Sequence, residues 1–458
     1  MQTQAIANNN ETALSDSPLL RYFTFIVLYF SQGVPEGITM FAIPAWLAMN
    51  GKSTLEIAGY SAAIIIPYSL KIVLAPMMER YTYLPMGRRK PWLLFGQFGI
   101  LCSIIALSFV PNPLDNLFVI TAVVLCVHTF IMFQDIATDS LVIDVVPIEQ
   151  QGKANSFMWG SKTVGVSVSL FFGSWLINKY GFSTGVLTMS VPVLLIMLVP
   201  LLLRERKGEK LLPWTKGQTS PDAALLAVDS WSKLFRSFKK VLLLRNTLLM
   251  LITVFITMCA LHYVRTMLPV FTIQELGWNN VFYSKIYSTY NLVSGIIGMI
   301  LGALIIHRYG IIRLLQGSFA LLIMVAVAMA TMTAFWKDPN FVIGFIALFC
   351  TLLTLINIGV LALAMHLCWK RISAIQFTFC MTIFNGALAA GAALVGYLRS
   401  HFEWQTLFLV FAVMIVAAMI LLKFIKTKRH LEQVEYLEKQ YVEVLKTEGS
   451  LLVKSEAV

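Results

Sequence analysis

Apolar residues run through this chain in blocks of about twenty, separated by short polar turns, and twelve such blocks can be counted. They fall near 21–48, 55–78, 91–110, 117–146, 154–177, 183–203, 246–271, 281–306, 311–335, 341–369, 374–399 and 404–426. A helix rises about 1.5 Å per residue, so each block is long enough to cross the ~30 Å hydrocarbon core of a bilayer. Backbone groups inside lipid must bond within their own segment, which makes helices the expected element. The pattern therefore predicts an all-α polytopic membrane protein with twelve transmembrane helices.

One long polar interruption, 204–245, divides the blocks six and six. The halves echo each other. PAWLAMNG (44–51) precedes Tyr60-Ser61, and PVFTIQELG (269–277) precedes Tyr283-Ser284. ERY with GRRKPWLL (79–94) in the first half answers HRYGIIRLL (307–315) in the second. Such internal repeats, with a site at the midplane between them, characterise many secondary transporters. The expected organisation is an N-terminal tail (1–20), a six-helix bundle (21–203), a linker (204–245), a second bundle (246–426) and a C-terminal tail (427–458). The linker contains WSKLFRSFKK (231–240), a basic amphipathic piece suited to a membrane surface. In the tail, Leu431, Val434, Tyr441 and Leu445 recur at helical spacing, and order is expected to end near Thr447.

Composition agrees with the pattern. The chain has 458 residues, of which 58% are hydrophobic and 13% charged, with a mean hydropathy of +0.76, which excludes a soluble fold. The polar first twenty residues lack the features of a removable signal peptide. The six cysteines fall inside the apolar blocks without metal-site spacing and read as small packing residues, and no metal or cofactor is expected. The net charge of +12 has an explanation in topology rather than in nucleic acid. With the N-terminus inside, only Lys52, Lys179, Lys285, Lys337 and Arg399 lie on external loops and Lys71, Lys162 and Arg265 within blocks; the remaining Lys and Arg are cytoplasmic. Both termini are therefore expected in the cytoplasm.

The candidate chemistry lies where polar residues interrupt the blocks. QDIATD (134–139) places Asp135 and Asp139 four apart, on one face of the fourth helix, with Gln134 beside them and His128 seven residues before Asp135. A carboxylate at the bilayer centre costs roughly 2.5–3.5 kcal/mol on insertion scales, so such acids are usually functional or paired. Glu36, beside the helix-bending Pro35, joins Asp135 and His128 as a candidate for proton coupling. Asp139 and Asp144 are expected to hold Lys71 or the Arg88-Arg89 pair in an inner gate, because a buried charge demands a partner. Lys162 reads as interfacial or paired with a fourth-helix aspartate. Gln32, Gln134, Arg265, Asn291, Asn357 and Asn385 are candidate solute contacts, Arg265 for an anionic group.

These motifs resemble a known family. The twelve blocks and basic loops are similar to the major facilitator superfamily, and QDIATD resembles the QDIAxD motif of its AmpG-like permeases, grouped with acetyl-coenzyme A transporters. FSQGVPEGI (30–38), PYSLKIVLAPMMERY (67–81), GRRKPWLL (87–94) and SAIQFTF (373–379) extend the match. The resemblance implies an importer in a bacterial inner membrane, usually proton-driven, carrying a large polar solute such as a muropeptide or siderophore. Glu36 departs from the pattern, since AmpG-type proteins tend to have an apolar residue there. The expected function is thus a proton-coupled permease working by alternating access, monomeric, in contact with membrane lipids, and neither an enzyme nor a nucleic-acid binder. The alternatives are an acyl-coenzyme A type carrier, a membrane-embedded transferase and a solute-sensing transceptor.

Overall fold

The computed structural model describes residues 13–455 except Ser53, Ile65, Asp229 and Asn279. The expectation for the first tail lies outside the described residues up to position 12, as does that for 456–458. Among the described residues the chain is helical, apart from one isolated bridge between Ala13 and Arg204.

Six long helices precede the linker. They are α1 (Pro18–Leu47), α2 (Gly59–Arg80), α3 (Lys90–Ser108), α4 (Leu117–Val145), α5 (Ile148–Tyr180) and α6 (Phe182–Leu202). The linker carries the amphipathic α7 (Trp231–Leu242). Six more follow: α8 (Arg245–Glu275), α9 (Lys285–Tyr309), α10 (Ile311–Thr331), α11 (Pro339–His366), α12 (Lys370–Arg399) and α13 (Trp404–Lys423). The last helix is α14, Thr427–Ser455. It continues past Thr447, where the sequence pattern alone had helical order ending. Its Val434, Leu437 and Tyr441 pack on Val228, Leu234 and Val241 of the linker and on Trp369, so a surface within the same chain covers it.

Eleven of these helices, among the described residues, are long and apolar enough to cross a membrane, and α5 is not one of them. The reason is on its surface. Over its 33 residues α5 carries Lys153, Asn155, Ser156, Ser161, Lys162 and Ser169, and it packs on α1, α9 and α11. A helix wrapped by other helices has less apolar surface to present to lipid. Gly165 sets its approach to α1: a Cβ there would stand 2.5 Å from the Phe30 carbonyl oxygen. A larger residue would push the two backbones apart.

Both α1 and α8 contain a proline, Pro35 and Pro269, followed by one π-helical turn, at Ile38–Ala42 and Phe271–Glu275. Proline withholds a backbone donor, and the wider turn absorbs the mismatch. The buried side chains form two main cores. One lies within the first six helices and the loop that joins α3 to α4, from Val34 to Val193. The other joins Phe25, Met78, Leu141 and Met158 to residues of α8–α13. The two sets of helices are therefore fused at the end that carries the basic loops.

Candidate functional site

Three carboxylates and two ammonium groups meet in the middle of the first six helices. Lys162 Nζ on α5 lies 2.8 Å from Glu36 Oε1 on α1, and Lys71 on α2 forms an ion pair with Asp135 on α4. The third acid, Asp139, accepts a hydrogen bond from the Tyr29 hydroxyl of α1. Tyr68 donates to Glu36 Oε1 at 3.4 Å. Each of these contacts joins two different helices, so the network cross-links α1, α2, α4 and α5.

His128 is fully buried one turn and more along α4, and Nε2 lies 2.9 Å from Thr39 Oγ1. The Thr39 hydroxyl spends its single proton on the Pro35 carbonyl, at 2.7 Å, so His128 Nε2 carries the proton and donates. Tyr60 closes the set by donating to the Thr39 carbonyl at 2.7 Å. His128 thus holds α1 to α4.

Several buried polar atoms find no protein partner among the described residues: Gln32 Oε1, Gln134 Oε1 and Asn357 Oδ1. Buried polar groups are normally satisfied, so orphaned ones point to water or solute. Gln134 uses its amide nitrogen on the Leu28 carbonyl, at 3.2 Å, and keeps its oxygen open. Arg265 on α8 is exposed, within electrostatic range of Tyr287 and Cys350. Asn291 on α9 and Asn385 on α12 are half-buried.

A second network closes the basic-loop end. Glu79 Oε2 accepts from Arg88 and Arg89 at 2.8 and 2.7 Å, and Asp144 Oδ2 accepts from the same two residues at 3.0 and 3.1 Å. From the other set of helices, Ser373 Oγ donates to Asp144 at 3.0 Å and the Ala374 amide to Glu79 at 2.5 Å. Arg88 also donates to the carbonyls of Lys370 and Arg371, at 3.2 and 2.9 Å. The linker positions this loop: the Glu205 carboxylate accepts from the amides of Arg88, Arg89 and Lys90 at the start of α3. Gly87, at φ +104°, leaves room for that carboxylate, since a Cβ would lie 2.4 Å from it.

Glu209 adds a titrating group to the linker. It accepts from Ser220 Oγ at 2.6 Å and from the Arg206 amide at 3.0 Å. Burial, and then the nearby Glu205 charge, raise its carboxyl from 4.5 to about 7. The folded linker therefore holds this proton more tightly than the unfolded chain. The associated stability is complete below the unfolded value and is lost as pH rises from about 4.5 through about 7. Amide exchange in residues 204–220, corrected for intrinsic rate, should speed up over that interval, and Glu209→Gln should flatten the dependence. A pH-independent wild-type linker would contradict it.

The pairing differs in detail from the sequence-based expectation. Lys71 bonds Asp135 rather than Asp139, and Lys162 bonds Glu36 rather than an aspartate of α4. Helical spacing placed the acids on one face but could not say which neighbouring helix each turn of that face meets. Asp144 does hold Arg88 and Arg89. Sequence reasoning missed Glu79, Glu205, Ser373 and Thr39 as participants. Glu79 had a signal, since ERY stands nine residues before the arginine pair, whereas Glu205 lies in a linker without periodicity.

The Major Facilitator Superfamily sequence model matches residues 23–379. The anhydromuropeptide permease of Escherichia coli (strain K12) is 24% identical over 407 residues, covering 87% of this chain and 78% of that protein. A protein of Rickettsia prowazekii (strain Madrid E) bearing the AmpG name is 23% identical over 403 residues, 84% of this chain and 90% of that one. The crystal structure of the major facilitator transporter FucP in the outward conformation superposes with a TM-score of 0.66 at 14% identity, over 89% of this chain and 98% of that chain. The many apolar helices and the bacterial relative are consistent with a multi-pass inner-membrane protein. The fold, the helices and the match over most of the chain agree: this protein belongs to the major facilitator superfamily, is AmpG-like within it, and is a transporter rather than an enzyme.

Proposed function

We propose that this transporter is a proton-coupled importer of a large polar solute of the anhydromuropeptide type, working by alternating access. The carrying observation is the charge count in the central network: Glu36, Asp135 and Asp139 against Lys71 and Lys162. With His128 neutral, one added proton brings the cluster to zero net charge. Burial in low dielectric favours that state, and the proton belongs to the cluster as a whole. Asp139 is its natural seat, because Glu36 and Asp135 each already have an ammonium partner.

In this reading α5 is the fifth of twelve spans, 21–203 and 246–426 are the two moving bundles, and the basic-loop end with both termini faces the cytoplasm. The excess of Lys and Arg on that side supports the orientation. The fused end is then the inner gate, and the solute enters from outside. Arg265, exposed on α8, offers a fork for a carboxylate, and Gln32, Gln134 and Asn357 offer open hydrogen-bonding atoms. The similarity to the anhydromuropeptide permease supports the solute class.

The test is uptake of labelled anhydromuropeptide into proteoliposomes under an imposed inward pH gradient, with a ferric siderophore in a parallel arm. Accumulation above empty liposomes that collapses with a protonophore is the expected result. Arg265→Gln should raise the solute KM by roughly tenfold or more, the scale of one lost charge-assisted bond of about 1.5–3 kcal/mol. Uptake of neither solute would remove the assignment.

A further inference from the structure

The amphipathic helix α7 is set against the bundle in a way that the transport reading leaves unused. At about 100° per residue its side chains divide into arcs. Leu234, Ser237 and Val241 point inward and are buried. Trp231, Phe235 and Phe238 share a second flank, and the first two are exposed. Arg236, Lys239 and Lys240 follow around the outer arc and are exposed as well.

The aromatic flank forms one wall of an apolar groove of about 370 Å³. Its opposite wall is Ile72 and Val73 of α2, both exposed, and its floor includes Ala75 and Ile375. The groove therefore opens along two helices of membrane-spanning character, on the seam where α2 meets α12. Beyond the basic arc lies a second cavity, of about 530 Å³, lined by Lys233, Arg236 and Lys240 together with Trp369 and, from α14, Tyr441 and the single carboxylate of Glu443. An apolar slot thus lies on one flank of α7, with three basic side chains on the outer arc that follows it.

We propose that a single anionic phospholipid occupies this place, one acyl chain in the α2–α12 groove and its phosphate on Arg236, Lys239 and Lys240. Charge complementarity selects an anionic headgroup over a zwitterionic one, and the open aromatic wall selects a chain-bearing lipid over a free phosphate. Seated there, the lipid spans the seam between the two sets of helices at their fused end and favours the closed arrangement. The inference rests on the membrane-spanning character of α2 and α12 and is independent of the solute.

Trp231 is the reporter. The full-length transporter would be reconstituted with acyl-brominated phosphatidylglycerol or phosphatidylcholine, and the fluorescence component removed by Trp231→Phe followed as a function of brominated-lipid fraction. Two or three basic side chains at a membrane surface predict half-quenching at a fraction of phosphatidylglycerol lower by roughly thirtyfold or more. Neutralising Arg236, Lys239 and Lys240 to Gln should bring the two lipids to parity. Phe235→Ala, which keeps the charges, should weaken quenching by both lipids. Equal half-quenching by the two lipids in the wild type would mean ordinary annular lipid only and overturn the proposal. So would a preference that survives the triple neutralisation, or a Phe235→Ala protein quenched like the wild type.

Discussion

Asp139→Asn should abolish accumulation of solute against its gradient while leaving solute exchange across the same membrane within about twofold of wild type. The two readouts separate because the substitution fixes the central network in its neutral count, two carboxylates against two lysines. Exchange needs only that the loaded carrier reorient, whereas accumulation needs the proton to load and leave. Asparagine preserves the acceptor oxygen for the Tyr29 hydroxyl, so the α1–α4 cross-link survives. The comparison with Asp135→Asn is informative. That change leaves the Lys71 ammonium buried without its partner, a situation that costs roughly 3–5 kcal/mol, and it should lower expression and thermal stability as well as transport. The measurements are pH-gradient-driven uptake and counterflow in proteoliposomes. An Asp139→Asn protein that still concentrates solute would place the proton elsewhere, with Glu36 next in line.

The second large effect concerns the fused end. Glu79→Gln should shift the protein towards a state in which that end is open. Glu79 is the point where three partners converge: Arg88, Arg89 and the Ala374 amide from the opposite set of helices. Removing its charge leaves two buried guanidinium groups sharing one carboxylate, that of Asp144. Losing one partner of a buried pair costs roughly 3–5 kcal/mol, and the closed state bears most of that cost because opening admits water to the arginines. A change of that size reverses the ratio of two states separated by a few kcal/mol. Spin labels at the exposed Tyr83 and Lys428 should report a longer and broader distance distribution in Glu79→Gln than in wild type. An unchanged distribution would show that the helix packing around Met78 and Met158, and not the charges, keeps the end shut.

The placement of the long apolar helices was largely legible in the sequence because lipid imposes a crude and strong requirement, some twenty apolar residues per crossing. The same rule explains why α5, counted as a span from the sequence, is not among the eleven helices apolar enough to cross. Its Lys153, Asn155 and Lys162 meet Tyr22, the Ile358 carbonyl and Glu36 of neighbouring helices, and hydropathy reads lipid contact only. The charge networks were legible as residues but not as pairs. QDIATD and GRRK announced themselves as polar positions in apolar runs. Which acid meets which base depends on the rotation of each helix about its axis, and that rotation is set by contacts such as Gly165 against the Phe30 carbonyl. Glu205 was invisible for a different reason. It sits in an aperiodic linker and acts on backbone amides, so no side-chain motif marks its target.

The polar character of α5 also bears on how the chain is assembled. With α5 taken as a span, it is the one helix of the bundle that hydrocarbon alone would not hold, and a lysine at its middle makes unaided partitioning costlier still. Its counter-charge, Glu36, lies on α1 and emerges from the ribosome more than a hundred residues earlier. The first helix therefore waits in the membrane with an unneutralised acid until the fifth arrives, and each supplies what the other lacks. With α5 taken as a span, its insertion becomes a folding event, completed against protein at the Glu36–Lys162 contact.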